Sequence, residues 1–295
     1  MPNESKTTIY AALAGNAAIA ATKFGAAFFT GSAAMFSEAI HSTVDTGNQV
    51  LMLYGLRRSV RPATEEHPFG FGLELYFWTF VVAILIFGLG AGVSILGGID
   101  KIRHPHAIED VWVNYVVLGL SFVFEGASWL IALRAFRAQG GGSGQPGGLL
   151  AAVRRSKDPT IFTVLLEDSA ALVGLAIAAG GLLLADVLDL PRLDGVASVL
   201  IGLLLAGTAV FLASECKGLL LGEAADPAVR AGVRSIASGG AGVLAVNEIL
   251  TMHFGPDDVL AALSIDFDDR LSAGAVERTV SDIERQIKAA HPKIR

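Results

Sequence analysis

Four polar side chains lie along one stripe of an otherwise apolar stretch between Ser37 and Asn48. They are spaced at i, i+3, i+7 and i+10, and they are Glu38, His41, Asp45 and Asn48. On a helix this spacing places all four on the same face. A charged group at membrane depth is costly, so it usually faces a partner, a cavity or an ion. Because His41 and Asp45 are one turn apart, they could offer a ring nitrogen and a carboxylate oxygen to one metal ion, and we predict half of a divalent-metal site here.

The second half of the predicted site comes from Glu167 and Asp168, in a later apolar stretch with the sequence LLEDSAALVG. Adjacent residues on a helix point about 100° apart, so both can face the site only if the helix places the pair across it. Asp168 is the stronger candidate ligand. Glu167 is either the fourth ligand or the partner of a basic neighbour. The competing interpretation of His41 and Asp45, a pair of packing groups that hydrogen-bond to neighbours, is disfavoured because two ionisable residues stand at ligand spacing.

Other polar groups in the apolar stretches have structural as well as functional interpretations. Glu38 is either a carboxylate at a helix start near the outer interface or a group that admits the metal or supports a ligand. Glu125 either pairs with Lys23 or joins a proton relay, and pairing is favoured. Asn16 and Asn48 could donate hydrogen bonds to metal ligands or to the helix core.

The composition indicates a membrane protein. Of the 295 residues, 53% are hydrophobic and 17% are charged, whereas a soluble globular protein carries about 25% charged residues. The mean hydropathy is +0.56.

The charge and motifs of the sequence exclude several function classes. The net charge of −6 comes without a basic stripe, so we expect no nucleic-acid partner. The single cysteine, Cys216, excludes an internal disulfide and a cysteine-rich zinc site. Since no motif indicates an organic cofactor or a hydrolytic nucleophile, we expect no organic cofactor and no enzyme activity.

Six segments are long enough to cross about 30 Å of hydrocarbon as helices of roughly 20 residues. They lie at about 8–30, 33–56, 75–99, 111–136, 160–184 and 196–214. With the N-terminus inside, the Lys and Arg residues of the cytoplasmic segments include Lys6, Arg57, Arg58, Arg61, Arg134, Arg137, Arg154, Arg155, Lys157 and Lys217. The outside loops hold Lys101, Arg103 and Arg192. This excess of inside positive charge predicts a multi-pass protein of the cell membrane with both termini in the cytoplasm.

The character of the sequence changes after residue 215. We therefore place a six-helix transmembrane domain at 1–215 and a small soluble α+β domain at 216–295. An amphipathic helix is predicted at 226–238, followed by strands at 243–254 and 259–267, and by a second helix at 272–290. The order is αββα, with a C-terminal stub too short for a full strand. Between the fourth and fifth spans, the Gly-rich composition of 139–149 is typical of a flexible linker.

Taken together, these residues resemble the cation diffusion facilitators, a family that includes zinc transporters. The motifs are SEAIHSTVD in the second span, HPFGFGLE before the third and LLEDSAALVG in the fifth. The segments SECKGLLLGEAADP and TMHFGPDD resemble the bacterial branch. The resemblance implies six transmembrane helices and a cytoplasmic ferredoxin-like α+β domain that dimerises. It also implies a homodimer in the lipid bilayer that exports a divalent metal from the cytoplasm in exchange for protons.

In that family the transport site is tetrahedral, with a His/Asp-xxx-Asp pair from each of spans two and five. His41 and Asp45 match the first pair and Asp168 ends the second. Val164, four residues before Asp168, cannot bind metal, and Glu167 is the nearest replacement, as in the subgroup with Glu-Asp in the fifth span. The implied cargo site is thus His41, Asp45, Glu167 and Asp168. Zn²⁺ is the favoured cargo, with cobalt, iron and manganese as alternatives.

The alternative function is a non-transporting membrane scaffold that acts through its cytoplasmic domain. A scaffold has no need of ionisable groups inside the membrane, so His41, Asp45 and Asp168 favour transport. In the soluble domain, Ala262 and Leu263 occupy a strand region where the family often has a His ligand. The resemblance therefore implies no regulatory metal cluster there.

Overall fold

The computed structural model describes residues 3–108, 110–138 and 157–295. The predicted linker at 139–149 lies outside the described residues. The chain divides into two compact units. The first unit comprises Met1–Gly55 and Trp78–Cys216, and the second comprises Leu56–Phe77 and Lys217–Arg295. Residues 56–77 thus belong to the second unit, although the sequence analysis assigned them to the transmembrane domain.

Helices form the first unit. Their bounds are α1, Asn3–Thr30; α2, Ala33–Ser59; α3, Leu73–Leu85; α4, Gly92–Arg103; α5, Val111–Ala138; α6, Pro159–Val187; and α7, Arg192–Leu221. Five of the predicted spans each lie within one helix, whereas the third, 75–99, extends across α3, a π-helical segment and α4. This π-helical segment, Ile86–Ala91, keeps the span helical throughout. The sequence analysis did not predict this segment.

Four helical stretches in the described part of the chain are long and apolar enough to cross a membrane. They are Leu73–Arg103, Val111–Arg137, Phe162–Val187 and Arg192–Leu221. Their outward surfaces carry large apolar side chains, such as Val123 and Ile131 on α5 and Leu203 on α7. A water-soluble bundle would bury such side chains, whereas lipid solvates them. The chain is therefore a helical membrane protein, and membrane crossing by α1 and α2 stays a prediction.

The start of α2 is held by a carboxylate from another helix. Asp194, near the start of α7, is fully buried. It accepts hydrogen bonds from Ser32 Oγ (2.7 Å), from the Ala33 amide (2.6 Å) and from the Ala34 amide (3.2 Å). Helix N-termini leave amides without intrahelical partners, and a carboxylate there satisfies them and complements the helix dipole. The contact fixes the position of the helix that carries His41.

The second unit contains the order helix, strand, strand, helix that the sequence predicts. Helix α8 spans Pro227–Ser238, β1 Val243–Gly255, β2 Asp258–Phe267 and α9 Ala273–Ala290. The two strands pair antiparallel around the turn at Gly255 and Asp258. The helices and the inner sheet face share an apolar core that includes Val233, Val259, Ile283, Ile287 and Ile294. A parallel bridge between Val259 and Ile294 places the C-terminal stub beside β2.

Candidate metal site

His41 and Asp45 lie together on α2, as their spacing predicts. The His41 Nδ1 atom is 3.4 Å from Asp45 Oδ1, and the two side chains are 2% and 14% exposed. Within the described residues, neither ring nitrogen of His41 nor Asp45 Oδ1 has a hydrogen-bond partner. Buried polar atoms are nearly always satisfied, so this group of unpartnered atoms requires an explanation.

Helix α6 brings Glu167 and Asp168 to the same region, and each carboxylate receives one side-chain hydrogen bond. Asn48 Nδ2 donates to Glu167 Oε1 at 2.9 Å. Ser128 Oγ, on α5, donates to Asp168 Oδ2 at 2.8 Å. Glu167 is therefore bonded to an amide, which differs from the basic neighbour that one interpretation of the sequence proposed.

A small cavity of about 10 Å³ connects these groups, a volume near that of one water-sized sphere. Its lining residues come from α1, α2, α5 and α6, and they are Asn16, Ile19, Ser42, Asp45, Gln49, Glu125, Val164, Glu167 and Asp168. Three of the four predicted ligands, Asp45, Glu167 and Asp168, thus meet at one cavity. His41 contacts Asp45 but is not part of the lining.

The predicted ligands do not form a finished coordination shell. Across 3–108, 110–138 and 157–295, no three His, Cys, Asp or Glu side chains are placed as a metal-binding group. The structure instead brings carboxylates to one cavity, with an imidazole beside them. The four-residue metal site therefore stays a prediction.

Lys23 on α1 contributes a buried ammonium next to this cavity. Its Nζ donates to Ser42 Oγ (2.8 Å) and to Glu38 Oε2 (3.2 Å), and lies 3.7 Å from Glu125 Oε1. The favoured pairing of Glu125 with Lys23 is thus present. Glu38 is fully buried and also pairs with Lys23, and its position relative to the outer interface stays a prediction. Pairing with Lys23 reduces the cost of burying the Glu38 carboxylate.

Two features of the site were missed by the sequence analysis. Ser128 lies one turn after Glu125 on the same helix face. That spacing could have indicated that Ser128 faces the same polar site as Glu125. Gly174 leaves the space that Glu38 occupies, since a Cβ at this position would be 2.5 Å from Glu38 Oε1. Neither contact follows from one segment alone, because each joins helices distant in the sequence.

The family model for the cation efflux transmembrane domain matches residues 9–221. The chain belongs to the cation diffusion facilitator family. This confirms the family that the motifs in the second, third and fifth spans indicate. The family consists of ion transporters rather than enzymes. The finer assignment to a bacterial branch stays a prediction.

Curated relatives from animals, plants and bacteria are similar in sequence to this chain. The chain is 34% identical over 249 residues to the human protein named proton-coupled zinc antiporter SLC30A9, mitochondrial. The aligned region covers 84% of this chain and 44% of the human protein. The chain is 34% identical over 223 residues to metal tolerance protein C4 of Arabidopsis thaliana, with 75% of this chain and 48% of the relative aligned. The chain is 25% identical over 260 residues to the magnetosome protein MamM of Paramagnetospirillum magneticum, with 86% of this chain and 74% of the relative aligned. The chain thus spans about half the length of the first two relatives.

Proposed function

We propose that this protein moves a divalent metal cation, with zinc favoured, out of the cytoplasm in exchange for protons. The observation that carries the proposal is the meeting of Asp45, Glu167 and Asp168 at one cavity inside a helical membrane unit. His41 lies against Asp45 with both ring nitrogens lacking a hydrogen-bond partner among the described residues. Carboxylate oxygens and imidazole nitrogens are ligands that bind Zn²⁺ without redox change.

Charge supports a cation as the cargo. Four carboxylates line one small cavity, those of Asp45, Glu125, Glu167 and Asp168. They repel each other in a medium of low dielectric constant, and a divalent cation offsets that repulsion. In this proposal His41 turns from Asp45 toward the cavity when the metal binds. Zinc is favoured because of this donor set and because two relatives carry zinc or metal in their names. Cobalt, iron(II) and manganese accept similar donors and stay as alternatives.

Proton exchange follows from the same donors. A carboxylate or an imidazole must be deprotonated to bind metal, so metal binding releases protons and proton binding releases metal. If the cavity opens to each side of the membrane in turn, a proton gradient drives the metal in the opposite direction. The proposal includes six membrane spans, cytoplasmic termini and a homodimer, which rest on the family and on the loop charges.

The test is metal flux into proteoliposomes that contain a pH-sensitive dye. Zinc, cobalt, iron(II) and manganese are offered in turn to wild type and to Asp45→Ala. We expect one metal to move with counter-flow of protons, and we expect Asp45→Ala to abolish both signals because it removes a cavity carboxylate.

The matched control is Asp100→Asn, which removes a carboxylate that is 75% exposed near the end of α4. It should transport at the wild-type rate. If no metal moves, or if Asp45→Ala transports as well as wild type, the cavity is not the transport site and the proposal fails.

A further inference from the structure

The Lys23 ammonium does not line the cavity but contacts side chains that do. Two of the three side chains that it contacts, Ser42 and Glu125, also line the cavity, whereas Glu38 does not. Lys23 is fully buried. The ammonium is therefore a fixed positive charge beside the carboxylates that we propose for the metal.

The two carboxylates next to Lys23 are held differently. Glu38 is fully buried and lies at hydrogen-bonding distance, 3.2 Å. Glu125 is 14% exposed, and its 3.7 Å separation from Lys23 Nζ exceeds the usual N–H···O range of about 2.7–3.2 Å. Glu38 is thus the firm counter-ion of Lys23, and Glu125 is attracted without being bonded.

Val164 is a cavity-lining residue that offers no metal donor. It lines the cavity together with Asp45, Glu167 and Asp168, and its side chain cannot bind a cation. Glu125 lines the same cavity from α5. A carboxylate on that helix can therefore supply an oxygen that the α6 position of Val164 cannot.

The inference that follows rests on the proposed function. We propose that Glu125 is a further metal-binding carboxylate of the cavity. In the absence of metal its attraction to Lys23 competes with metal binding, and Lys23 thereby lowers the affinity of the cavity for a divalent cation. Without metal, the ammonium offsets the repulsion between Glu125 and the other carboxylates. An arriving divalent cation repels the ammonium and attracts Glu125. Lys23 retains Glu38 as its counter-ion throughout, so no charge is left unpaired in the membrane.

The experiment measures zinc binding to the purified full chain by isothermal titration calorimetry. Glu125→Gln removes the charge but keeps the size, and we expect the Kd to rise about tenfold, in the range for loss of a group that supports a metal site. The double variant Lys23→Met with Glu38→Gln removes the fixed pair as a neutral unit. It frees Glu125, so we expect the Kd to fall about tenfold. Adding Glu125→Gln to the double variant should cancel that gain, whereas Asp100→Asn should bind as wild type.

Two results separate this inference from the proposed function. If Asp45→Ala loses zinc binding while Glu125→Gln binds as wild type, Glu125 is not a ligand and only this inference is overturned. If Asp45→Ala also binds as wild type, the proposed metal site is overturned with it.

A further variant keeps the role of Lys23 open to test if the double variant fails to fold. Lys23→Arg preserves the charge, and its planar fork can bond both carboxylates. We expect it to hold Glu125 more firmly and to raise the Kd for zinc. An unchanged Kd in Lys23→Arg would overturn the proposal that this cation restrains Glu125.

Discussion

Ser128 and Asn48 orient two of the carboxylates at the cavity. The Ser128 hydroxyl donates to Asp168, and the Asn48 amide donates to Glu167. A hydrogen bond to one carboxylate oxygen restricts the orientation of the whole carboxylate. Groups of this kind tune a metal site without touching the metal.

At the residue scale, Ser128→Ala should weaken zinc binding. Asp168 loses its 2.8 Å hydrogen bond and samples more rotamers, so we expect the Kd to rise about tenfold. Competition with a fluorescent zinc chelator measures the change. Thr208→Val is the control, because the Thr208 hydroxyl donates to Leu204 within its own helix. Equal affinities in wild type and Ser128→Ala would show that Asp168 needs no support from α5.

At the scale of elements, α2 and α6 approach closely where Gly174 faces Glu38. The buried carboxylate occupies the space that a side chain at position 174 would fill. The same carboxylate bonds Lys23 on α1, so one small residue on α6 permits a contact between α1 and α2. Small residues have this role in membrane helices, where close packing replaces the hydrophobic effect between helices.

Gly174→Ala should therefore destabilise the helical unit. The added Cβ would lie 2.5 Å from Glu38 Oε1. The Glu38 carboxylate would have to leave the position in which it bonds Lys23, and we therefore expect a loss of about 1–3 kcal/mol. The thermal midpoint of unfolding in detergent measures the effect. Gly180→Ala is the matched control on the same helix, since a Cβ there meets no atom within 4 Å. A midpoint for Gly174→Ala equal to that of the control would contradict the contact.

At the scale of the whole molecule, the second unit is built from two separate parts of the sequence. Residues 56–77 join residues 217–295 in it. The Phe69 ring stacks on Phe254 with centroids 4.8 Å apart, and Arg295 donates to the Phe69 carbonyl. Gly72 lies so close to the Phe254 carbonyl that a side chain would overlap it. The HPFGFGLE motif therefore has a packing role in the second unit.

Gly72→Ala should loosen this unit. Since the obstructing atom is a backbone oxygen, the loop or β1 must move, and we expect a loss of about 1–3 kcal/mol. Hydrogen exchange of the β1 amides in the full chain, followed by mass spectrometry, should be faster than in wild type. Gly274→Ala serves as control, because a Cβ there meets its nearest atom, on Arg278, at an ordinary 3.7 Å. Unchanged exchange in Gly72→Ala would mean that 56–77 does not support the strand.

The sequence by itself determined the helices, the order of elements in the second unit and the family. Each of these depends on local pattern. Apolar length predicts a membrane helix, alternation and turn residues predict the strands, and polar residues one turn apart, as in His41 and Asp45, predict a shared helix face. The low share of charged residues predicted a membrane protein, because a surface that faces lipid carries few charged side chains.

Only the tertiary structure decided which polar groups meet. The partners of Glu38, Glu167 and Asp168 come from other helices, and their identity depends on how those helices rotate and pack. Sequence spacing constrains the face of one helix but not its orientation against the next. The same reason explains why residues 56–77 could not be placed from sequence, since their contacts are with a segment more than a hundred residues away.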